Sequence, residues 1–434
     1  MEAYKKLRNS IIKKKANIAV IGLGYVGLPI AIEFVKAGFN VFGLENDIDR
    51  INKLQKGESY ILDVETEVLR KLVNGEKFHV GSGSGILRHA DVVIVCVPTP
   101  LRKTKIPNIS YIIKAIRAIA VNLKSPSLIV LESTTYPGTT RDVVMPILKR
   151  RGFREGKDFF LAFSPERIDP GNTKYSLMNV PKLVGGTSKN STDLAYVLYS
   201  QIIKKVVCVS SSEVAEVVKL LENTFRIVNI GLINEFAMLC HKFKIDVWEV
   251  IRAAKTKPFG FMAFYPGPGI GGHCIPKDPL YLSWKARKAG FKTKMIDLAS
   301  KVNSFMPAYA VERVRDILGG KIRGANILVL GVTYKRDVKD LRESPALEII
   351  ELLKWRQANV SYSDPHIPYL RIKNIDLTSS KLSKAILAKQ DCIILVTDHS
   401  GFDYHFIAKH AKRIFDTRNV FDSYNVRSKN ITAL

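Results

Sequence analysis

The stretch N-I-A-V-I-G-L-G-Y-V-G-L-P-I-A-I-E-F-V-K-A-G, residues 17–38, decides the reading of the first half of the chain. Residues 17–22 form a short β-branched run that leads into Gly22, Gly24 and Gly27. The segment after them has helical apolar spacing, with Gly38 as its C-cap. The next strand, F-N-V-F-G-L, ends at Glu45. Gly22 allows a tight turn and Gly24 lets backbone approach a pyrophosphate. Gly27 lets helix and strand pack closely, and the helix N-terminus, with Tyr25 and Val26 in the turn, faces the phosphates. About twenty residues on, a carboxylate is needed for the adenine ribose hydroxyls, and Glu45 stands there. It would repel a 2′-phosphate, so NAD is expected rather than NADP, with Arg50 as the nearby group able to accept one.

The alternation continues. A-D-V-V-I-V-C-V-P-T-P, S-L-I-V-L-E-S-T-T, F-F-L-A-F-S-P-E-R and P-K-L-V-G-G read as buried strands, and Y-I-I-K-A-I-R-A-I-A as an amphipathic helix. Strands alternating with helices imply a parallel, doubly wound sheet that binds ligands at the carboxyl ends of its strands. Pro98, Thr99, Ser133, Thr134 and Glu166 fall at such ends and outline one wall of a cleft.

The bulk properties bound the rest. A chain of 434 residues is too long for one ordinary core, and 46% hydrophobic with 25% charged residues is the composition of a folded globular protein. No stretch approaches the ~20 apolar residues that span a bilayer. The basic start M-E-A-Y-K-K-L-R-N-S-I-I-K-K-K runs into the glycine turn rather than a cleavage site, so the protein is expected in the cytoplasm. The net charge of +27 favours anionic partners. Lys and Arg are spread evenly and no nucleic-acid module is present, so diphosphate-bearing small molecules are expected, and neither nucleic acid nor membrane. Five widely separated cysteines, with no C-x-x-C, give no disulfide framework and no metal site. Cys96, Cys208, Cys240 and Cys392 lie in apolar runs and are expected in the core.

From Ser211 to about Phe243 helical spacing runs without proline, long enough for a spine between domains. Lys219 and Asn223 share one face of it at i, i+4, while Glu222, Arg226, Asn229 and Asn234 are further polar residues whose default is solvent or an interhelix bond. Next comes F-Y-P-G-P-G-I-G-G-H-C-I-P-K-D-P, residues 264–279, a loop whose amides can approach an anion. Cys274 in it lacks partners for a metal. Lys277 and the glycine amides could make its surroundings electropositive and Asp278 could take a proton, so its chemistry favours a nucleophile. A second α/β unit starts at N-I-L-V-L-G-V-T-Y-K and continues through C-I-I-L-V-T-D and R-I-F-D-T-R.

The motifs G-L-G-Y-V-G-L-P, V-P-T-P, E-S-T-T-Y-P-G-T-T, S-P-E-R, A-E-x-x-K-x-x-x-N, the Cys274 loop, D-L-R-E-S-P-A-L-E and F-D-T-R-N, in this order over residues 16–425, resemble the UDP-sugar 6-dehydrogenases. G-G-H-C-I-P-x-D-P looks like the UDP-N-acetylglucosamine or UDP-N-acetylmannosamine branch, while Lys277 also matches the UDP-glucose version. The resemblance implies an α/β fold with two Rossmann-like domains: an NAD domain at 1–209, a helical domain with the long helix and Cys loop at 210–310, and a UDP-sugar domain at 311–434. It implies oxidation of a C6 alcohol to a carboxylate with two NAD per sugar, Cys274 carrying the thiohemiacetal and thioester. Lys219 and Asn223 would stabilise an oxyanion or position water, Asp278 would assist proton transfer, and Thr134 and Glu166 would lie beside nicotinamide and reactive carbon. Arg167, Arg226, Phe264, Tyr265, Gly267, Gly269, Gly271 and Lys335 would line the substrate site, and Arg342 would contact cofactor or diphosphate, including across a subunit boundary. A homodimer or larger assembly through the central helix is also implied. One departure is Pro170, where UDP-glucose enzymes commonly carry a second Glu; Asp169 is nearby but out of register. The alternatives are a UDP-glucose 6-dehydrogenase, a two-electron 3-hydroxyacid or 6-phosphogluconate type, and a nucleotide-sensing or nucleic-acid-binding protein.

Overall fold

In the computed structural model, every residue is described except 62–63, 103, 105, 169–174, 176 and 373. Asp169 and Pro170 therefore lie outside the described residues. The chain forms two compact units, Met1–Glu222 with Leu280–Gly290, and Asn223–Pro279 with Phe291–Leu434.

The first unit is built on eight strands: β1 Asn17–Ile21, β2 Asn40–Leu44, β3 Phe78–Gly81, β4 Val92–Val95, β5 Ser127–Leu131, β6 Phe159–Phe163, β7 Lys182–Gly186 and β8 Val206–Cys208. Their order is β3-β2-β1-β4-β5-β6-β7-β8, which begins with the doubly wound 3-2-1-4-5-6 arrangement. Both faces are covered. Ile18 and Val20 join one core with Phe34, Val92, Ile94, Leu128 and Val130, and Ala19, Val93, Val95, Ile129 and Leu131 join the other with Ile112 and Ile116. Successive side chains point to opposite faces, so strands buried on both read as unbroken apolar runs. The helix Glu2–Ile12 adds Leu7 and Ile11 to the first core, and its Tyr4 and Arg8 bond to Asp193 at 2.7 and 3.0 Å.

Two expectations change here. β7 runs antiparallel to β6, with Ala162 opposite Gly186 and Phe163 opposite Gly185, whereas the run P-K-L-V-G-G reads in the sequence as one more parallel strand. An apolar run reports burial on two faces and not direction. Cys208 is exposed, because β8 is the edge strand and pairs with β7 alone; Cys240 and Cys392 are buried and Cys96 half-buried.

The helix Ser212–Phe243 begins in the first unit and ends in the second. Its 32 residues extend over about 48 Å at 1.5 Å per residue. The Ser211 hydroxyl accepts from the amide of Val214 and caps it. In its first turns Glu216, fully buried, accepts from the Gly138 and Thr140 amides and the Thr140 hydroxyl at 2.5, 2.9 and 2.6 Å; burial pushes its pKa up to about 7.

In the second unit, β9 Asn326–Leu330, β10 Asn359–Ser363, β13 Cys392–Leu395, β14 Ile414–Asp416 and β15 Ile431–Ala433 form an all-parallel sheet, ordered β10-β9-β13-β14-β15. An antiparallel pair, β11 Tyr369–Ile372 and β12 Ile375–Thr378, forms a separate two-stranded sheet beside β10, where Tyr362 bridges to Ser379. Gly231 admits the helix Lys294–Ile317, since a Cβ there would stand 3.1 Å from Ala299 Cα. The polar residues at this crossing pair with each other: Asn234 Nδ2 donates to Asn303 Oδ1 (2.8 Å) and Asn303 Nδ2 to the Ile227 carbonyl (3.0 Å). No helix among the described residues is long and apolar enough to cross a membrane.

Candidate active site

The sheet of the first unit changes winding direction between β1 and β4, and the glycine turn follows β1 there. Gly22 has φ +91°, and a Cβ on it would lie 2.7 Å from the Cys96 carbonyl oxygen. A Cβ on Gly27 would meet the Gly22 carbonyl oxygen at 1.9 Å, so both glycines are dictated by the fold of the turn. Gly24 differs, because a Cβ there would have no atom within 4 Å. Its bare backbone borders a cleft of about 280 Å³ lined also by Tyr25, Asp47, Arg50, Lys53 and Tyr60. An open glycine at a switch point beside such a cleft fits a dinucleotide, so these residues fit NAD. Glu45 accepts from the Leu23 amide at 3.1 Å, and Arg50 sits 3.5 Å from Glu45 and 3.6 Å from Asp47. With its charge balanced by two carboxylates, Arg50 offers little to a 2′-phosphate.

The carboxyl ends of β4, β5 and β6 carry the next group. Ser133 donates to the Val97 carbonyl at 2.8 Å and ties two strand ends together. Thr99 offers its carbonyl to the Tyr281 hydroxyl, Thr134 is half-buried and Pro98 exposed. Glu166 is held firmly. Its Oε1 accepts from the Arg167 and Ile168 amides, both at 2.7 Å, its Oε2 is 3.2 Å from Lys182 Nζ, and its carbonyl accepts from Lys219 Nζ at 2.6 Å. Burial alone would raise its pKa, but Lys182, the two amides and Lys219 together hold it below the usual value. Lys182 also reaches Glu132 Oε2 (2.9 Å), and the Tyr199 hydroxyl donates to Glu132 Oε1. Arg167 is fully engaged with Glu222 (2.6 and 3.3 Å) and the Pro181 carbonyl (2.9 Å).

In the second unit Asn223 and Asp278 form a buried pair, Nδ2 to Oδ2 at 2.6 Å. Asn223 lies one turn beyond Lys219 on their helix, so four residues expected in catalysis fall into two bonded pairs, Lys219 with Glu166 and Asn223 with Asp278. Cys274 is exposed, and its carbonyl accepts from the Lys277 and Asp278 amides at 3.1 and 2.8 Å in the turn entering the helix Asp278–Lys288. The thiol thus stands at a helix N-terminus, where the peptide dipoles favour negative charge. Lys277 is paired with Glu343 at 3.0 Å. Burial and then the Arg342 charge push His273 down to about 4, so its ring is neutral at pH 7.

The glycines of this loop are used by the protein itself. A Cβ on Gly267 would meet Arg418 Nη1 at 2.5 Å, one on Gly269 would meet Pro345 Cβ at 3.1 Å, and one on Gly271 would meet Tyr334 Cβ at 2.6 Å. The Gly272 amide donates to the Arg342 carbonyl at 3.0 Å. The loop after β9, which carries Lys335 and Arg342, is therefore stitched to the Cys274 loop. Arg342 itself is clamped by Asp340 at 2.6–2.9 Å. Arg226 is exposed, Phe264 meets Phe225 edge-on, and Tyr265 stacks on Trp248. Asp337, His366 and His399 bring ligand-type atoms within 4.8 Å of one another. However, His399 Nδ1 accepts from the Asp337 amide (3.0 Å) and Nε2 faces Asp364 Oδ2 (3.0 Å), so both ring nitrogens are engaged.

Sequence reasoning missed Glu132, Lys182, Tyr199 and Arg418. The available signals were a carboxylate ending the apolar run V-L-E-S and a lysine opening the run P-K-L-V-G-G.

A glycine turn at the switch point of a doubly wound sheet is the mark of a dinucleotide-binding domain. Residues 16–203, 213–304 and 328–423 match, in turn, the NAD binding, central and UDP binding domains of the UDP-glucose/GDP-mannose dehydrogenase family, and the chain belongs to that family. It is an NAD-dependent oxidoreductase of the UDP-sugar dehydrogenase type. The chain is 36% identical over 412 residues to the UDP-N-acetyl-D-mannosamine dehydrogenase of Pyrococcus horikoshii, covering 93% of this chain and 95% of that one. It is 36% identical over 359 residues to the UDP-N-acetyl-D-glucosamine 6-dehydrogenase of Pseudomonas aeruginosa, covering 82% and 84%. The solved structure of the Pyrococcus horikoshii UDP-D-ManNAc dehydrogenase superposes with a TM-score of 0.86 at 33% identity, covering 96% of this chain and 98% of that one.

Proposed function

We propose that the protein oxidises the C6 alcohol of a UDP-N-acetylhexosamine, UDP-N-acetylmannosamine or UDP-N-acetylglucosamine, to the uronate through a thioester on Cys274. The observation that carries this reading is the placement of Cys274, the one cysteine held exposed on a loop at a helix N-terminus, with the Asn223–Asp278 pair four residues on. Bound NAD supplies the hydride acceptor, twice per sugar. When the C6 alcohol is oxidised to the aldehyde, Asp278 assists removal of the hydroxyl proton. The Cys274 sulfur then bonds to the aldehyde carbon, and Lys219 and Asn223 stabilise the oxygen as charge develops on it. Loss of a second hydride leaves the thioester. Water, deprotonated with the help of Glu166, attacks the acyl carbon; the C–S bond breaks, and the thiolate and the carboxylate are released. Covalent capture keeps the aldehyde from escaping between the two oxidations.

The diphosphate of the substrate suits the cationic side chains around the stitched loops, Lys335 and Arg418, the latter packed on Gly267. The three family segments divide the work as NAD domain, helical domain and UDP-sugar domain. A panel of UDP-N-acetylmannosamine, UDP-N-acetylglucosamine, UDP-N-acetylgalactosamine and UDP-glucose, followed by NADH absorbance, tests the assignment. The highest kcat/KM is expected for one of the first two. A clear preference for UDP-glucose would replace this reading with the glucose branch, which Lys277 also matches.

The active form is a homodimer. Within the second unit Phe225, Leu232, Phe236, Leu239 and Phe243 are all exposed on the long helix at spacings of 7, 4, 3 and 4, which is one helical face. Exposed apolar surface of that kind marks an interaction site. Phe236→Asp is expected to shift the mass measured by light scattering from dimer to monomer. A wild-type monomer, or a variant that remains fully dimeric, would remove this face as the interface.

A further inference from the structure

We propose that Lys182 is the positioning residue for Glu166, fixing which oxygen of that carboxylate faces the reaction and keeping it ionised. This rests on the reading of Glu166 as the group that activates water. The starting point is the reversed strand. Because β7 runs antiparallel to β6, its first residue, Lys182, lies at the same edge of the sheet as the last residues of β5 and β6. In a parallel β7 the first residue would lie at the opposite edge, more than 10 Å away at ~3.3 Å per residue. The one antiparallel pair of this sheet among the described residues thus brings a buried amine to the carboxyl ends of the strands, where this fold places its chemistry.

The contacts divide the Glu166 carboxylate. Oε1 is filled by two backbone amides at 2.7 Å, and Oε2 is held by Lys182 at 3.2 Å with its side chain 13% exposed. The remaining acceptor capacity is therefore on Oε2. Lys182 is 3% exposed, so its charge acts with little screening by water. Its second partner, Glu132, is fully buried and bonded by the Tyr199 hydroxyl, and the ammonium stands 5.2 Å from the centre of the Tyr199 ring. Glu132 and Tyr199 therefore hold Lys182, and Lys182 holds Glu166. The charged and titratable groups facing Glu166 are Lys182 on β7, Lys219 on the long helix, Glu132 after β5 and Cys96 after β4. Burial pushes Glu132 upward and Cys96 well upward, whereas Glu166 is held below its usual value by the cations facing it.

The sign follows directly. A neighbouring cation favours the ionised carboxylate, so its removal raises the pH at which Glu166 protonates. The measurement is an infrared pH titration of the full-length protein, in which the carboxylate band lost in Glu166→Gln identifies Glu166. Lys182→Met is expected to move the midpoint of that band up by at least about one pH unit. Below the new midpoint kcat falls roughly tenfold per pH unit, while KM for the UDP-sugar changes by less than about threefold. Lys182→Arg, which keeps the cation, is expected to restore the midpoint and most of kcat. If Lys182→Met fails to fold because Glu132 is left unpaired, Glu132→Gln with Lys182→Met removes that liability and is expected to show the same raised midpoint. An unmoved midpoint in either variant would overturn the proposal and leave Lys182 as a structural counter-charge. The underlying reading is tested separately: full turnover in Glu166→Gln would overturn the role of Glu166, whatever the titration shows, and with it the functional part of this proposal.

Discussion

Cys274→Ser is expected to lower steady-state turnover by at least about 1,000-fold while UDP-sugar affinity stays within a few-fold. Cys274 is exposed on its loop, so exchanging its sulfur for an oxygen is expected to leave the fold intact. A hydroxyl at the same point is a far weaker nucleophile near neutral pH, because almost none of it is ionised. The first oxidation does not need the sulfur, so the variant is expected to form a small amount of aldehyde, trapped by a carbonyl reagent. Turnover kinetics, ligand titration by calorimetry and product trapping give the three readouts. Undiminished double oxidation in the variant would remove Cys274 from the chemistry.

The second large effect concerns the cofactor turn. Gly27→Val places a branched side chain where even a Cβ stands 1.9 Å from the Gly22 carbonyl oxygen, so backbone must move. The fold is expected to lose about 3 kcal/mol or more, since overpacking against backbone exceeds the usual 1–3 kcal/mol range. Gly24→Val is the informative contrast. With no protein atom within 4 Å of its Cβ, stability is expected to change by less than about 1 kcal/mol, while NAD affinity falls at least about tenfold. Urea unfolding and NAD titration separate the two. Equal losses of stability in both variants would contradict the distinction between a glycine required by the fold and one required by the cofactor.

Much of this arrangement was legible because the decisive signals are local. The strand, three glycines, helix and Glu45 lie within thirty residues, and each glycine has its own physical reason. The long helix reads from 3.6-residue spacing alone, expected from Ser211 and observed over Ser212–Phe243. The i, i+4 relation of Lys219 and Asn223 follows from it. What periodicity does not report is direction or partner. Nothing in P-K-L-V-G-G says that β7 turns back along β6, and without that reversal Lys182 has no visible connection to Glu132 or Glu166. For the same reason Cys208 reads as core: a three-residue apolar run on an edge strand looks the same as one in the middle of a sheet. The loop glycines at 267–272 read as anion-facing backbone, and nothing in that spacing shows that Arg418, Pro345 and Tyr334 occupy the room their missing side chains leave. Those contacts join segments some 60 to 150 residues apart, which local spacing does not encode.

The central claim is a four-electron oxidation on one enzyme, and the most direct measurement is the amount of NADH formed per UDP-N-acetylhexosamine consumed, with the product identified by mass. Two NADH per sugar and a uronate are expected. One NADH per sugar with a released aldehyde would contradict the thioester route.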